Sequence, residues 1–279
     1  MAEYVVLGRD GMLGRSFVQK LGERGADFVA HSRANADLSS REALRRATQG
    51  ARVVLNCGAY TNVDGAETDE ATATLINGTA VGWLAELCRE RGAVLVNYGT
   101  DYVFDGAATS PYPVDAPRAP LNAYGRSKAV GEELLERSEA DYLHLRTSWV
   151  YAPWGKNFVL TMKKFLFEKD VLRVVDDQRG RPTSALWLAE GTLRLLDRGA
   201  RGTWHLTDGG ECTWFELTRT IAEILGAPAR VDPCTSAEYP RPARRPAYST
   251  LDVSKTTELL GEFPDFRAHV REALALSGG

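Results

Sequence analysis

Long apolar runs are missing from this 279-residue chain. The opening one, Tyr4-Val5-Val6-Leu7, is too brief for a signal peptide or a bilayer span. A basic excess is missing too: Lys+Arg 34 against Asp+Glu 37 gives a net charge of -3, which argues against a nucleic-acid partner and against an anionic membrane surface. Cysteine is scarce. Cys57, Cys88, Cys212 and Cys234 form no CxxC pair, and His31, His144, His205 and His269 show no ligand spacing, so neither a disulfide scaffold nor a structural metal site is indicated. Free thiols fit a cytoplasmic protein. There is no internal repeat and no low-complexity tract; the Pro-rich stretches 111–120 and 233–246 read as loops.

What the chain does have is strand–helix alternation. With 44% hydrophobic residues it can bury one large core or two closely joined ones. Short β-prone runs at 4–7, 28–30, 53–56, 94–98 and 142–146 are separated by helical patterns at 41–48, 71–91 and 124–137. That order predicts right-handed crossovers and an α/β, Rossmann-type doubly wound parallel sheet, with ligands at the C-terminal strand ends. From about Trp154 onward the alternation becomes irregular. A dinucleotide-binding domain is therefore expected over 1–153 and a smaller α/β substrate-binding region over 154–279, with part of 171–210 returning to the first core.

The first strand runs directly into Gly8-Arg9-Asp10-Gly11-Met12-Leu13-Gly14, after which Leu13, Phe17, Val18 and Leu21 recur at helical spacing. Glycines allow the backbone to approach a pyrophosphate, and the helix N-terminus behind them offers free N–H groups and a favourable dipole. Gly8, Asp10, Gly11, Met12 and Leu13 are the expected contacts; an ordinary tight turn is the alternative. The second strand ends at His31-Ser32-Arg33. An Arg in place of an acidic residue there accommodates a 2′-phosphate, so NADPH is expected over NADH, through Arg33 with Ser32 secondary.

Tyr124-Gly125-Arg126-Ser127-Lys128 places a phenol and an ammonium one turn apart on a helix. The cation is expected to lower the phenol pKa and equip it to pass a proton to an alkoxide. Alone, the spacing also suits a solvated helix face.

Taken with Thr100-Asp101-Tyr102-Val103-Phe104-Asp105-Gly106, Arg146-Thr147-Ser148-Trp149-Val150-Tyr151 and Asp177-Gln178-x-Gly180-x-Pro182-Thr183, these motifs resemble the extended short-chain dehydrogenase/reductases, and within them the dTDP-4-dehydrorhamnose reductase family. The resemblance spans residue 4 to about Lys255. It implies a catalytic triad: Thr100 holding the substrate carbonyl, Tyr124 protonating it, and Lys128 holding the nicotinamide ribose. It implies that Cys57, Gly58, Ala59 and Tyr60 pass the cofactor, that Asp37 and Leu38 contact adenine, and that Thr61 and Val63 approach the sugar. Tyr102 and Trp149 would flank the sugar ring, although Trp149 could equally be core. Asp101, Asn157 and Arg181 complete the implied substrate contacts. Arg241 and Arg244, in the stiff segment 240–246, would meet a diphosphate, unless that loop is merely solvated. The implied partner is a dTDP-linked sugar, with NADH accepted alongside NADPH and a homodimer as the assembly.

The chain departs from the pattern at Gly99, where the family usually has Ser, at Val114 for a frequent Glu, and at Gly65 for a frequent Lys. Some members use Mg2+ bound by carboxylates, one of them just past the glycine loop; Arg15-Ser16 stands there, so no metal dependence is expected. Related dehydratases follow the catalytic Thr with Asp-Glu, whereas here Tyr102 follows Asp101, which removes the elimination machinery. Two other readings remain: a reductase of a different keto sugar, such as the dihydrostreptose type, and a non-catalytic cofactor-binding subunit resembling that of methionine adenosyltransferase.

Overall fold

The computed structural model describes residues 2–278. In chain order the first half comprises β1 (Tyr4–Leu7), α1 (Met12–Glu23), β2 (Phe28–His31), α2 (Arg41–Ala47), β3 (Val53–Asn56), α3 (Val63–Ala66), α4 (Glu70–Thr74), α5 (Ala80–Arg91), β4 (Val94–Thr100), α6 (Ala123–Glu136) and β5 (Tyr142–Thr147). The second half adds β6 (Val150–Tyr151), α7 (Phe158–Glu168), β7 (Val171–Val175), β8 (Arg179–Gly180), β9 (Thr183–Ser184), α8 (Ala185–Asp197), β10 (Gly202–His205), β11 (Cys212–Thr213), α9 (Trp214–Leu225), β12 (Arg230–Cys234), α10 (Ser254–Leu260) and α11 (Phe266–Leu276).

Six strands form one parallel sheet in the order β10-β5-β4-β3-β1-β2. The winding direction reverses between β1 and β3, so a crevice opens beyond their C-terminal ends. Burial on both faces explains why the central strands are rich in Val and Leu, with the buried Asn56 and Asn97 paired to each other at 2.9 Å. Val5 and Leu7 pack with Leu44, Leu84 and Leu95 on one face, while Val6, Phe17, Leu55, Val96 and Leu188 fill the other. The sixth strand, β10, pairs with β5, and α8 packs against α1. A third core, built from Tyr151, Val159, Leu166, Leu217, Ile221, Phe266 and Val270, lies among α7, α9, α11 and the parallel pair β7–β12.

The helix expected over 71–91 is interrupted by a π-helical turn at Leu75–Thr79. The extra residue turns Asn77 out of the helical ladder. Its Oδ1 accepts from the Tyr60 N–H at 2.9 Å, and its Nδ2 donates to the Tyr60 carbonyl at 2.9 Å and to Ser127 Oγ at 3.0 Å. A Cβ on Gly131 would lie 2.2 Å from the Asn77 carbonyl oxygen, so only glycine lets α6 approach this closely. The π-turn thereby ties the loop after β3 to the helix carrying Tyr124.

Candidate active site

The C-terminal strand ends enclose a cavity of about 960 Å³, running from Arg33, Asp37 and Leu38 at one end past the glycine loop to Thr61, Val63, Tyr102 and Trp149 at the other. Gly8 holds φ +82, and a Cβ there would meet the Gly58 N–H nitrogen at 2.9 Å; a Cβ on Gly14 would lie 2.1 Å from the Gly8 carbonyl oxygen. The loop can only close this tightly with glycine at both positions. Gly11 is the N-cap of α1 with no side-chain cap, and the first turn has no acidic residue. Free N–H groups at a positive dipole end therefore face the cavity, the arrangement a pyrophosphate requires. Beside the loop, Trp154 donates from Nε1 to the Met12 carbonyl at 3.2 Å, and Arg15 stacks 4.7 Å above its ring.

Thr100 ends β4, opposite Thr147 of β5, and Tyr124 and Lys128 project from the first two turns of α6. A Cβ on Gly125 would lie 2.2 Å from the Tyr102 carbonyl oxygen, so the helix rests directly on the turn after Thr100. Thr100 Oγ donates to Asp101 Oδ1 at 3.1 Å and accepts from the Tyr102 N–H at 3.2 Å. Lys128 Nζ donates to the Tyr98 carbonyl at 3.0 Å. All three triad residues line the cavity.

The charges differ from expectation. Burial pushes the Tyr124 phenol up to about 12, only partly offset by Thr100, and burial pulls Lys128 down to about 8 against the pull of Glu132. Lys128 is not among the groups that shift the tyrosine, and one of its ammonium hydrogens goes to the Tyr98 carbonyl. Tyr124 is consequently protonated at neutral pH, the state a proton donor to an alkoxide needs.

The sequence model of the RmlD substrate binding domain family matches residues 2–277. The chain belongs to this family. A dTDP-4-dehydrorhamnose reductase of Burkholderia thailandensis is 39% identical over 283 residues, covering 94% of this chain and 95% of that one. Among solved structures, a dTDP-4-dehydrorhamnose reductase of Clostridium acetobutylicum superposes with a TM-score of 0.94 at 34% identity, covering 98% of each chain. That of Bacillus anthracis, in complex with NADP, gives a TM-score of 0.93 at 30% identity over 99% of each chain.

Several expected contacts of this reductase-family chain stand elsewhere. Asn157 caps α7, accepting from the Leu160 N–H at 3.1 Å and donating to the Ala152 carbonyl at 2.9 Å; it is buried and does not line the cavity. Arg181 is not on the cavity lining; its backbone carbonyl accepts from Ser148 Oγ at 2.6 Å. Arg241 lies over the Tyr239 ring and 3.6 Å from Asp64, and Arg244 contributes only a backbone carbonyl to Asn122; neither reaches the cavity. The neighbouring Arg245 is committed to Asp64 at 2.7 Å. Ser32 also lies off the lining, its carbonyl closing the turn to Asn35 and Ala36. Asp37 lines the cavity, but its carboxylate accepts from the N–H and hydroxyl of Ser39.

Trp149 lines the cavity with both faces covered. Its ring stacks on Trp214 at 3.5 Å, and a Cβ on Gly180 would come within 2.8 Å of its Cε2. An edge, not a face, is left for a sugar. Its φ of 49 is left-handed, a strained backbone held by this sandwich. Sequence reasoning missed Trp214 and Lys156, both on the lining. Trp214 opens α9 behind a capping box formed by Thr213 and Glu216, a signal legible as a helix start but silent about direction.

Proposed function

We infer that the protein is an NADPH-dependent dTDP-4-dehydrorhamnose reductase, reducing the 4-keto group of dTDP-4-dehydro-6-deoxy-L-mannose to dTDP-L-rhamnose in deoxysugar and cell-surface polysaccharide biosynthesis. The observation carrying this reading is the convergence of Thr100, protonated Tyr124 and Lys128 on one cavity beside a glycine-lined anion cradle.

Bound NADPH supplies the hydride to the sugar C4. The protein's part is orientation and protonation. Gly8, Asp10, Gly11, Met12 and Leu13 receive the pyrophosphate on the α1 N-terminus, Arg33 takes the 2′-phosphate, and Leu38 with the segment 57–60 borders the adenine and ribose path. Thr100 Oγ holds the carbonyl oxygen, and Tyr124 Oη gives its proton to the oxygen as negative charge develops there. Lys128 fixes the nicotinamide ribose. Thr61, Val63, Tyr102 and the Trp149 edge surround the sugar, and Lys156, a cation on the lining, replaces Arg241 and Arg244 as the group meeting the substrate diphosphate. The same reading makes the enzyme a cytoplasmic homodimer, which sedimentation would report.

With 4-deuterated NADPH, deuterium should appear at sugar C4 and at no other carbon. Tyr124→Phe should bind coenzyme while losing roughly 10²–10⁴ in kcat. Label at another carbon, or a Phe variant retaining half the activity, would sink the assignment.

A further inference from the structure

Trp149 is held in two unfavourable ways at once, and both involve residues that the reaction above does not use. Its backbone takes φ 49, a left-handed value that a bulky side chain adopts only under constraint. Its indole lies face to face with that of Trp214, the centroids 3.5 Å apart and the planes 7° from parallel, whereas free aromatic rings prefer an offset or edge-on approach. Gly180 closes the ring on its other side: a Cβ there would come within 2.8 Å of Trp149 Cε2 and 3.0 Å of its Cζ2 and Nε1.

The two jaws of this clamp are one unit. β8, which carries Gly180, pairs antiparallel with β11, placing Cys212 opposite Gly180, and β11 runs directly into Trp214 at the start of α9. Trp214 is itself fixed, since its Nε1 donates to Gln178 Oε1 at 3.2 Å and Phe158 of α7 packs on it with centroids 4.5 Å apart. A tryptophan delivered by the end of β5 is thus gripped by a strand pair from the second half of the chain. Both tryptophans line the cavity. Backbone strain of this kind persists only where the surroundings impose it, and here it sits at the wall of the sugar site.

We propose that Trp214 is a positioning residue for sugar recognition, acting through Trp149: together with Gly180 it holds the indole edge-on and so sets the width of the space the sugar enters. The proposal rests on the reductase reading for the identity of that sugar. Released from Trp214, Trp149 relaxes out of the left-handed region and turns its ring, and the sugar loses its wall. The glycine loop and Arg33 lie outside the clamp and keep their places.

The test compares dTDP with dTDP-L-rhamnose, titrated by calorimetry into enzyme loaded with NADP+; the ratio of the two Kd values isolates the sugar. Wild type should bind dTDP-L-rhamnose at least about tenfold more tightly than dTDP. Trp214→Ala should cut that ratio at least about fivefold, with Kd for NADP+ and for dTDP each changed less than about twofold. Trp214→Phe, which keeps a flat ring against Trp149, should retain at least half of the wild-type ratio. In a Trp149→Ala background, Trp214→Ala should shift the ratio less than about twofold, because the residue it acts through is gone. Equal weakening of both ligands would mean a merely structural role, and a full effect in the Trp149→Ala background would mean that Trp214 touches the ligand itself. Either overturns the proposal, as does an unchanged ratio. Should a tryptophan variant not fold, Gly180→Ala decides, since it presses on Trp149 without emptying the core: a ratio equal to wild type overturns the proposal. Wild-type enzyme that turns over a dTDP-4-keto-6-deoxysugar but gains no affinity from the sugar overturns it too, whereas wild-type enzyme inert toward every such sugar is the failure of the reductase reading.

Discussion

Glu132 lies one turn beyond Lys128 on α6 and is held by Arg146 of β5, with Nη2 donating to Oε2 at 2.7 Å and Nε to Oε1 at 3.1 Å. The pair is buried, at 2% and 3% exposure, and His144 adds a third contact at 3.0 Å. Because Asn97 donates to His144 Nδ1 at 3.2 Å, the His144 Nε2 carries the hydrogen donated to Glu132. Burial alone would raise the Glu132 carboxyl; His144 and Arg146 instead hold it far below the usual carboxylate range. The pair locks the helix bearing Tyr124 and Lys128 to the strand beside Thr100.

Glu132→Gln would leave the Arg146 guanidinium buried without a counter-charge, a change that costs about 3–5 kcal/mol. Urea unfolding should show that loss. A loss below about 1 kcal/mol would mean that the two elements are held together mainly by apolar packing.

Gly99 packs directly against the same network. A Cβ at this position would lie 2.6 Å from His144 Nε2, 2.8 Å from Glu132 Oε1 and 3.0 Å from Arg146 Cγ. Gly99→Ser should therefore destabilise the protein by about 1–3 kcal/mol through overpacking. Gly99→Ser combined with His144→Ala should fall short of the sum of the single losses by more than about 1 kcal/mol, since the second change opens the space the first needs. Strict additivity would show the clash to be relieved by some other movement.

Arg33 is a cation on the cavity lining, near Asp37 and Leu38, and the proposed function gives it the coenzyme's 2′-phosphate. Arg33→Ala should lower kcat/KM for NADPH at least tenfold, because a charge-assisted contact to the 2′-phosphate is lost, and change that for NADH by less than about threefold. An unaltered ratio of the two would remove Arg33 from the site.

The sheet was legible because β1, β3, β4 and β5 carry Val/Leu-rich stretches and lead into glycine, cysteine or threonine where the cavity begins. Thr100, Tyr124 and Lys128 were legible for the same reason, since strand ends and helix faces fix where their side chains point, and Gly8 because a strand running straight into a helix needs a residue free to take a positive φ. Asn157, Arg241 and Arg244 were not, because they lie in caps and loops whose direction no periodicity encodes. The π-turn at Leu75–Thr79 escaped notice because the apolar spacing runs on through it, and only Asn77's contacts reveal the extra residue. β10 is short and carries Thr203, Trp204 and His205, so it lacks the Val/Leu signature of its neighbours.

His205 and His269 should move stability with pH in opposite directions. His205 is fully buried; its Nδ1 donates to the Asp252 carbonyl at 2.9 Å, and its Nε2 faces Arg146 at 3.5 Å. Burial, then Arg146, pulls its pKa down to about 3. The unfolded chain protonates this residue near pH ~6.5 and the folded one does not, so stability is complete above that value and falls on acidification by up to about 1.4 kcal/mol per pH unit. For His269 burial acts downward, but Asp208, 2.9 Å away, raises the pKa overall. Its stabilisation is present below the unfolded value and lost as pH rises through the folded one. Chemical denaturation of the wild type, His205→Gln and His269→Gln at pH 5, 7 and 9 separates the two. The wild-type advantage over His205→Gln should shrink by about 2 kcal/mol between pH 7 and 5, whereas the advantage over His269→Gln should be larger at pH 5 than at pH 9. A His205 gap that stays constant from pH 7 to 5 would mean that the imidazole takes up a proton in the folded protein despite Arg146.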